Sequence, residues 1–104
     1  MLLHYIGADY EDEIIDNYEI WGEKKFTLGL DFPNLPYFFD GDLKLTQSNT
    51  IIRHLGRHNN LYGKNSNEIA QIDMLMDTAF DFKTLLGTIA YNPDFVITLL
   101  VFFH

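Results

Sequence analysis

Residues 37–46 read "YFFDGDLKLT", two short apolar segments on either side of Asp40-Gly41. That dipeptide tolerates the positive φ demanded by a two-residue hairpin turn. Tyr37–Phe39 and Leu43–Leu45 are therefore expected to pair as antiparallel strands. No other stretch of the chain limits the fold so tightly, and its flanks are read outward from it.

Downstream, a helix is expected from Gln47, with Ile51, Ile52 and Leu55 facing inward and Arg53 and Arg57 together at i, i+4. The polar segment "HNNLYGKNSN" (58–67) reads as a linker rich in turn residues. Beyond it Ile69, Ile72, Met76, Ala79, Leu86 and Ile89 recur at helical steps, with Asp73, Asp77 and Asp81 on another face. Asn92, Pro93 and Asp94 then carry the signals of a further helix start. Upstream, "YEIWGEKKFTLG" predicts a short helix ending at Gly29, and "YEDEII" (10–15) a weak strand. The opening Leu2, Leu3, Tyr5 and Ile6 read as the end of a helix closed by Gly7. The order predicts an incomplete α/β domain over 1–58, a linker over 59–66 and the start of an all-helical domain over 67–104.

Composition narrows the partners. A net charge of −8, with seven acids and no Lys or Arg between Met1 and Glu23, disfavours nucleic acid and anionic lipid. Hydrophobic residues, at 47%, suffice for a packed core. With no cysteine there is no disulfide, zinc-thiolate site or thiol nucleophile. No signal peptide of the usual form is expected, and the longest apolar run, 95–103, falls well short of the ~20 residues a spanning helix needs.

Chemistry gathers around the hairpin. A Leu35-Pro36 step before a strand can present an unpaired edge, where an extended peptide-like ligand pairs with the N–H and C=O of Leu35. Gln47 and Ser48 stand where the next helix opens, a place suited to a carboxylate. Lys25 and the Trp21 indole N–H would hold a second carboxylate. The implied ligand is short, extended and carboxylated at both ends, as glutathione is. Other features read as structure. Asp73, Asp77 and Asp81 form an acidic helix face rather than a metal site. His54 and His58, in "HLGRH", lack the glutamate of a zinc protease motif and read as exposed neutral histidines. Tyr5, Tyr10, Tyr18, Tyr37 and Tyr62 are assigned no chemistry.

The block "KKFTLGLDFPNLPYFFDGDLKLTQSN", with Trp21 ahead of it, resembles the glutathione-binding core of cytosolic glutathione S-transferases, closely the mu class. The likeness runs from about Leu2 to Phe95 and is strongest over 24–49. It implies a thioredoxin-like N-terminal domain, a helical C-terminal domain, a homodimer and a cytoplasmic protein. It implies that Trp21 and Lys25 bind the glycine carboxylate of glutathione, and that Asn34 and Leu35 contact the middle of the tripeptide. Pro36 would be the family's cis-proline. Gln47 and Ser48 would bind the γ-glutamyl end, and Asp81 would reach its amine from the partner subunit. Tyr91 matches a hydroxyl beside the electrophile site, and Phe32 an aromatic key for the dimer.

The resemblance places the sulfur-activating tyrosine on a strand ahead of Met1, so no residue here is assigned thiolate activation. Residues 96–104 depart from the family as an apolar tail. Two functions follow. One is a glutathione transferase that joins the thiolate to a hydrophobic electrophile, with glutathione as co-substrate and no cofactor or metal, the chain being truncated and weakly active or inactive. The other is a non-catalytic fragment that binds glutathione weakly or pairs with full-length subunits. A structural relative of the lens-crystallin kind is a third, disfavoured by the apolar tail.

Overall fold

A computed structural model describes residues 1–92 of the chain. The residues fall into two units, one spanning Met1–Tyr62 and one beginning at Gly63. The Asn92-Pro93-Asp94 helix start and the apolar tail extend outside the described residues.

The first unit opens with α1 (Leu2–Tyr5). Gly7 ends it at φ +68, where the N–H groups of Gly7 and Ala8 donate to the carbonyls of His4 and Leu3. That is the glycine stop expected from the sequence. The strand expected over 10–15 does not form. Its acids are the reason: Glu13 binds the Lys24 ammonium and the Tyr37 hydroxyl on other segments instead of joining a ladder.

Helix α2 (Tyr18–Lys24) starts at Asn17, whose side chain accepts the Glu19 N–H at 2.7 Å. It stops short of Gly29. The chain leaves through a turn closed by Thr27 N–H on the Lys24 carbonyl, and Gly29 at φ +68 redirects it. Strands β1 (Tyr37–Asp40) and β2 (Leu43–Thr46) pair antiparallel in the register Tyr37↔Thr46, Phe38↔Leu45, Phe39↔Lys44, Asp40↔Leu43. Asp40 therefore belongs to the strand and the loop is Gly41-Asp42, one residue later than the dipeptide suggested. Only Gly41 has positive φ, at +57, matching hairpin turns with glycine in the first loop position.

Helix α3 (Ser48–His58) follows β2 directly. Leu55 is buried and Ile51 half-buried, whereas Ile52, expected inward, is exposed. His54 is half-buried against Phe38, with ring centroids 6.2 Å apart, and stacks on exposed His58. The apolar centre of this unit is Leu30, Leu55 and Tyr62. Tyr62 packs on Gly56 of α3 with the Arg57 guanidinium 4.6 Å over its ring.

The second unit holds α4 (Ser66–Ala90), capped by Asn65, whose side chain accepts the N–H groups of Asn67 and Glu68. The Glu68 carboxylate accepts the N–H of Lys64, the residue ahead of the cap, at 2.6 Å. None of the residues of α4 is buried. Ile69, Leu86 and Ile89, which recur at helical steps, are exposed.

Candidate functional site

The pairing Tyr37↔Thr46 is the last of the ladder, so Pro36 and Gln47 flank it on opposite strands. Thr46 fastens this end further, its hydroxyl donating to the Phe32 carbonyl at 2.8 Å. The register thus brings Asn34, Leu35 and Pro36 to the same end of the hairpin as Gln47 and Ser48. The Leu35–Pro36 peptide bond is cis.

Gln47 adopts φ +69, ψ 111, a region that L-residues with side chains enter at a cost. It sits at the N-cap position of α3 without making a side-chain capping bond, and the first turn carries no acid. Simple capping, the plain structural reading of Gln47-Ser48, is therefore not what this residue does. The first-turn N–H groups and the positive end of the helix dipole suit an anion.

At Leu35 the structure adds something the sequence did not show. Its N–H donates to the Asn34 side-chain oxygen at 2.9 Å. The donor expected to meet an extended ligand is occupied by its neighbour, and a ligand pairing there would displace Asn34. Leu35 also lines a small cavity of about 220 Å³ with Trp21, Ile15 and Asn17. Trp21 and Leu35 therefore line one cavity. Lys25 does not line this cavity; its ammonium lies 4.8 Å over the Phe26 ring. Phe32 is 77% exposed. Asp81 and Tyr91 belong to the second unit, and both are exposed.

Beside these lies an unforeseen polar cluster. The Trp21 ring stacks on Tyr37, and Tyr37 packs against Phe39 at 5.1 Å. The Tyr37 hydroxyl donates to Glu13, whose other oxygen receives the Lys24 ammonium. The Lys24 bond, then the Tyr37 bond, holds the Glu13 carboxyl below its ordinary pKa. The Glu13 hydrogen bond raises Lys24. Desolvation, followed by Glu13, raises Tyr37. Lys44 ties the hairpin to the preceding turn, donating to the Leu28 carbonyl at 2.8 Å. No sequence spacing announces these contacts, because each joins segments at least eleven residues apart.

Among the described residues no group of three His, Asp or Glu side chains could hold a metal ion, and no helix is long and apolar enough to cross a membrane.

Residues 1–57 match the family model of the glutathione S-transferase N-terminal domain. The chain is similar to the class-mu 26 kDa isozyme of glutathione S-transferase from Schistosoma mansoni, 44% identical over 97 residues, covering 91% of this chain and 50% of that protein. It is similar to glutathione S-transferase Mu 2 of Rattus norvegicus, 43% identical, covering 91% of this chain and 47% of that one. In structure it resembles the glutathione S-transferase Blo t 8, with a TM-score of 0.80 and 34% identity, over 89% of this chain and 45% of that one. The chain spans about half the length of the curated relatives it matches. Its first unit has the thioredoxin-like architecture of the family's N-terminal domain, followed by helix. On the family model and on sequence identity alike, the chain belongs to the glutathione S-transferases, and the relatives named are of the mu class.

Proposed function

We propose that this chain is the glutathione-binding portion of a mu-class transferase, in which the glutathione thiolate attacks an electrophilic carbon of a hydrophobic compound. The observation that carries the reading is the placement of Asn34, Leu35 and Pro36 beside Gln47 and Ser48, with α3 opening uncapped. The γ-glutamyl carboxylate would sit at the α3 N-terminus, held by first-turn N–H groups and the Ser48 hydroxyl. Gln47 would add a side-chain contact. The tripeptide would run along Leu35, exchanging its backbone for Asn34 as the partner of the Leu35 N–H. Trp21 and Lys25 would receive the glycine carboxylate.

In this reading Asp81 serves the site of a partner subunit, Phe32 is a dimer contact and Tyr91 stands near the electrophile. The partner is a second copy or a full-length subunit. Residues 1–58 form the binding domain, 59–66 the linker and 67–104 the start of the helical domain, in a cytoplasmic protein. Glutathione enters as co-substrate, with no cofactor or metal. No residue of the chain is assigned thiolate activation, so its own contribution is binding and orientation. A chain that binds glutathione without conjugating it is the second reading.

Calorimetric titration with glutathione tests the proposal. Saturable binding is expected, weakened about tenfold by either Ser48→Ala or Lys25→Ala, the worth of one hydrogen bond to a charged group. A folded, soluble chain that does not bind, or whose binding ignores both substitutions, would refute it. Conjugation assayed with an electrophilic aryl halide separates the two readings.

A further inference from the structure

Residues 28–35 join no helix or strand, and among the described residues they make no backbone–backbone hydrogen bond. Yet Asn34 and Leu35, at the end of this loop, stand at the same end of the hairpin as Gln47 and Ser48. A loop without its own ladder is held by side chains.

Two side chains of β2 hold this one. The Lys44 ammonium donates to the Leu28 carbonyl and the Thr46 hydroxyl to the Phe32 carbonyl, each at 2.8 Å. Residues i and i+2 of a strand share a face, so both bonds leave β2 on the same side. Gly29 makes room for the first, since a Cβ there would lie 3.0 Å from the Lys44 nitrogen.

The two bonds differ in what lies beyond them. Between Leu28 and the site the chain is still anchored by buried Leu30. Between Phe32 and Asn34 there is only Pro33. The strand register pairs Tyr37 with Thr46 as well. The segment from Phe32 to Tyr37, cis bond included, therefore starts and ends on Thr46, and the residue after Thr46 is Gln47. One residue borders both halves of the site. Thr46 is half-buried and β-branched, which restricts χ1 and so fixes where its hydroxyl points.

We propose, resting on the function given above, that Thr46 is a positioning residue for glutathione. Its hydroxyl sets the spacing between Asn34 and Leu35, which meet the middle of the tripeptide, and Gln47 and Ser48, which meet the γ-glutamyl end. Thr46 does this through the Phe32 carbonyl, without touching the ligand. A ligand that spans two halves binds at full strength only when their spacing is held in the free protein. Without the bond, part of the binding energy goes into ordering the loop.

Glutathione is titrated calorimetrically into Thr46→Val, Thr46→Ser and Lys44→Met, each at a temperature where its melting curve shows it folded. Thr46→Val keeps the β-branch and removes the donor. It should weaken binding roughly three- to tenfold, the worth of one neutral hydrogen bond. Thr46→Ser keeps the hydroxyl and should restore affinity to within about twofold. Lys44→Met should lower the melting temperature yet leave affinity within about twofold, because Leu30 still anchors the loop. A ligand-free readout comes from ¹⁵N relaxation. Order parameters at Asn34 and Leu35 should fall from about 0.85 to below ~0.6 in Thr46→Val, while those of Phe38 and Leu45 in the ladder stay unchanged. Unchanged affinity in Thr46→Val, no rescue by serine, or an equal loss of affinity in Lys44→Met would overturn the proposal. So would rigid Asn34 and Leu35 in Thr46→Val. An unsubstituted chain that binds no glutathione would refute the function proposed above, and the order parameters alone would then decide whether Thr46 holds Asn34 and Leu35.

Discussion

The indole of Trp21 lies nearly parallel to the ring of Tyr37, centroids 6.0 Å apart and planes within 9°. Tyr37 is in turn bound through its hydroxyl to Glu13, and Glu13 to Lys24. One carboxylate thereby joins the segment after α1, helix α2 and the hairpin.

This junction sets a pH dependence. The folded Glu13 pKa lies below its ordinary value, so its contribution is present above roughly pH 4.3 and is lost as pH falls through the lowered value. Lys24 and Tyr37 are raised, so their contributions are complete below about pH 10 and disappear as pH rises through the raised values. Carboxyl NMR should place the Glu13 midpoint below that of exposed glutamates. Glu13→Gln should remove the acid-side change in Trp21 emission.

Two glycines separate helix propensity from packing. At Gly22 in α2 an added Cβ meets nothing within 4 Å, whereas at Gly56 in α3 it lies 3.1 Å from buried Tyr62. Gly22→Ala should stabilise by about 0.5–1 kcal/mol. Gly56→Ala gains the same propensity but crowds a ring held under Arg57, and should cost about 1 kcal/mol net. Thermal unfolding of both variants checks the opposite signs.

Gln47 carries a side chain at positive φ. Gln47→Gly should relieve that backbone and raise stability by up to about 1 kcal/mol. On the proposed function it should also weaken glutathione binding, because the side-chain contact goes. Paired melting and titration curves would show the trade, and a variant both less stable and tighter-binding would contradict it.

At the start of α4 the Asn65 side chain receives two N–H groups. Asn65→Ala should cost about 1 kcal/mol. The loss should register as faster amide exchange at Asn67 and Glu68 before it does in α3.

Much of this was legible because it is local. The Gly7 stop, the hairpin and the α3 and α4 helices all follow from short-range patterns. The hairpin loop was read one residue early because Asp40-Gly41 is a good turn pair by itself, while the pairing of Asp40 with Leu43 is settled by register. The strand expected over 10–15 failed for a tertiary reason: Glu13 finds Lys24 and Tyr37, far away in sequence. The periodicity of α4 marks an apolar stripe but does not say what would cover it. At the site, residue types marked Gln47 and Ser48, but the bond from Leu35 to Asn34 depends on a loop conformation no motif encodes.

A centre built from Leu30, Leu55 and Tyr62 in the first unit, and a 25-residue helix with no buried side chain in the second, have a calorimetric consequence. The heat-capacity increment of unfolding grows with the apolar surface that melting exposes. A chain that already shows so much of that surface to water should fall below the usual ~12–15 cal/mol/K per residue. Its melting should be broad, its denaturant slope shallow, and both should sharpen when something covers the exposed helix.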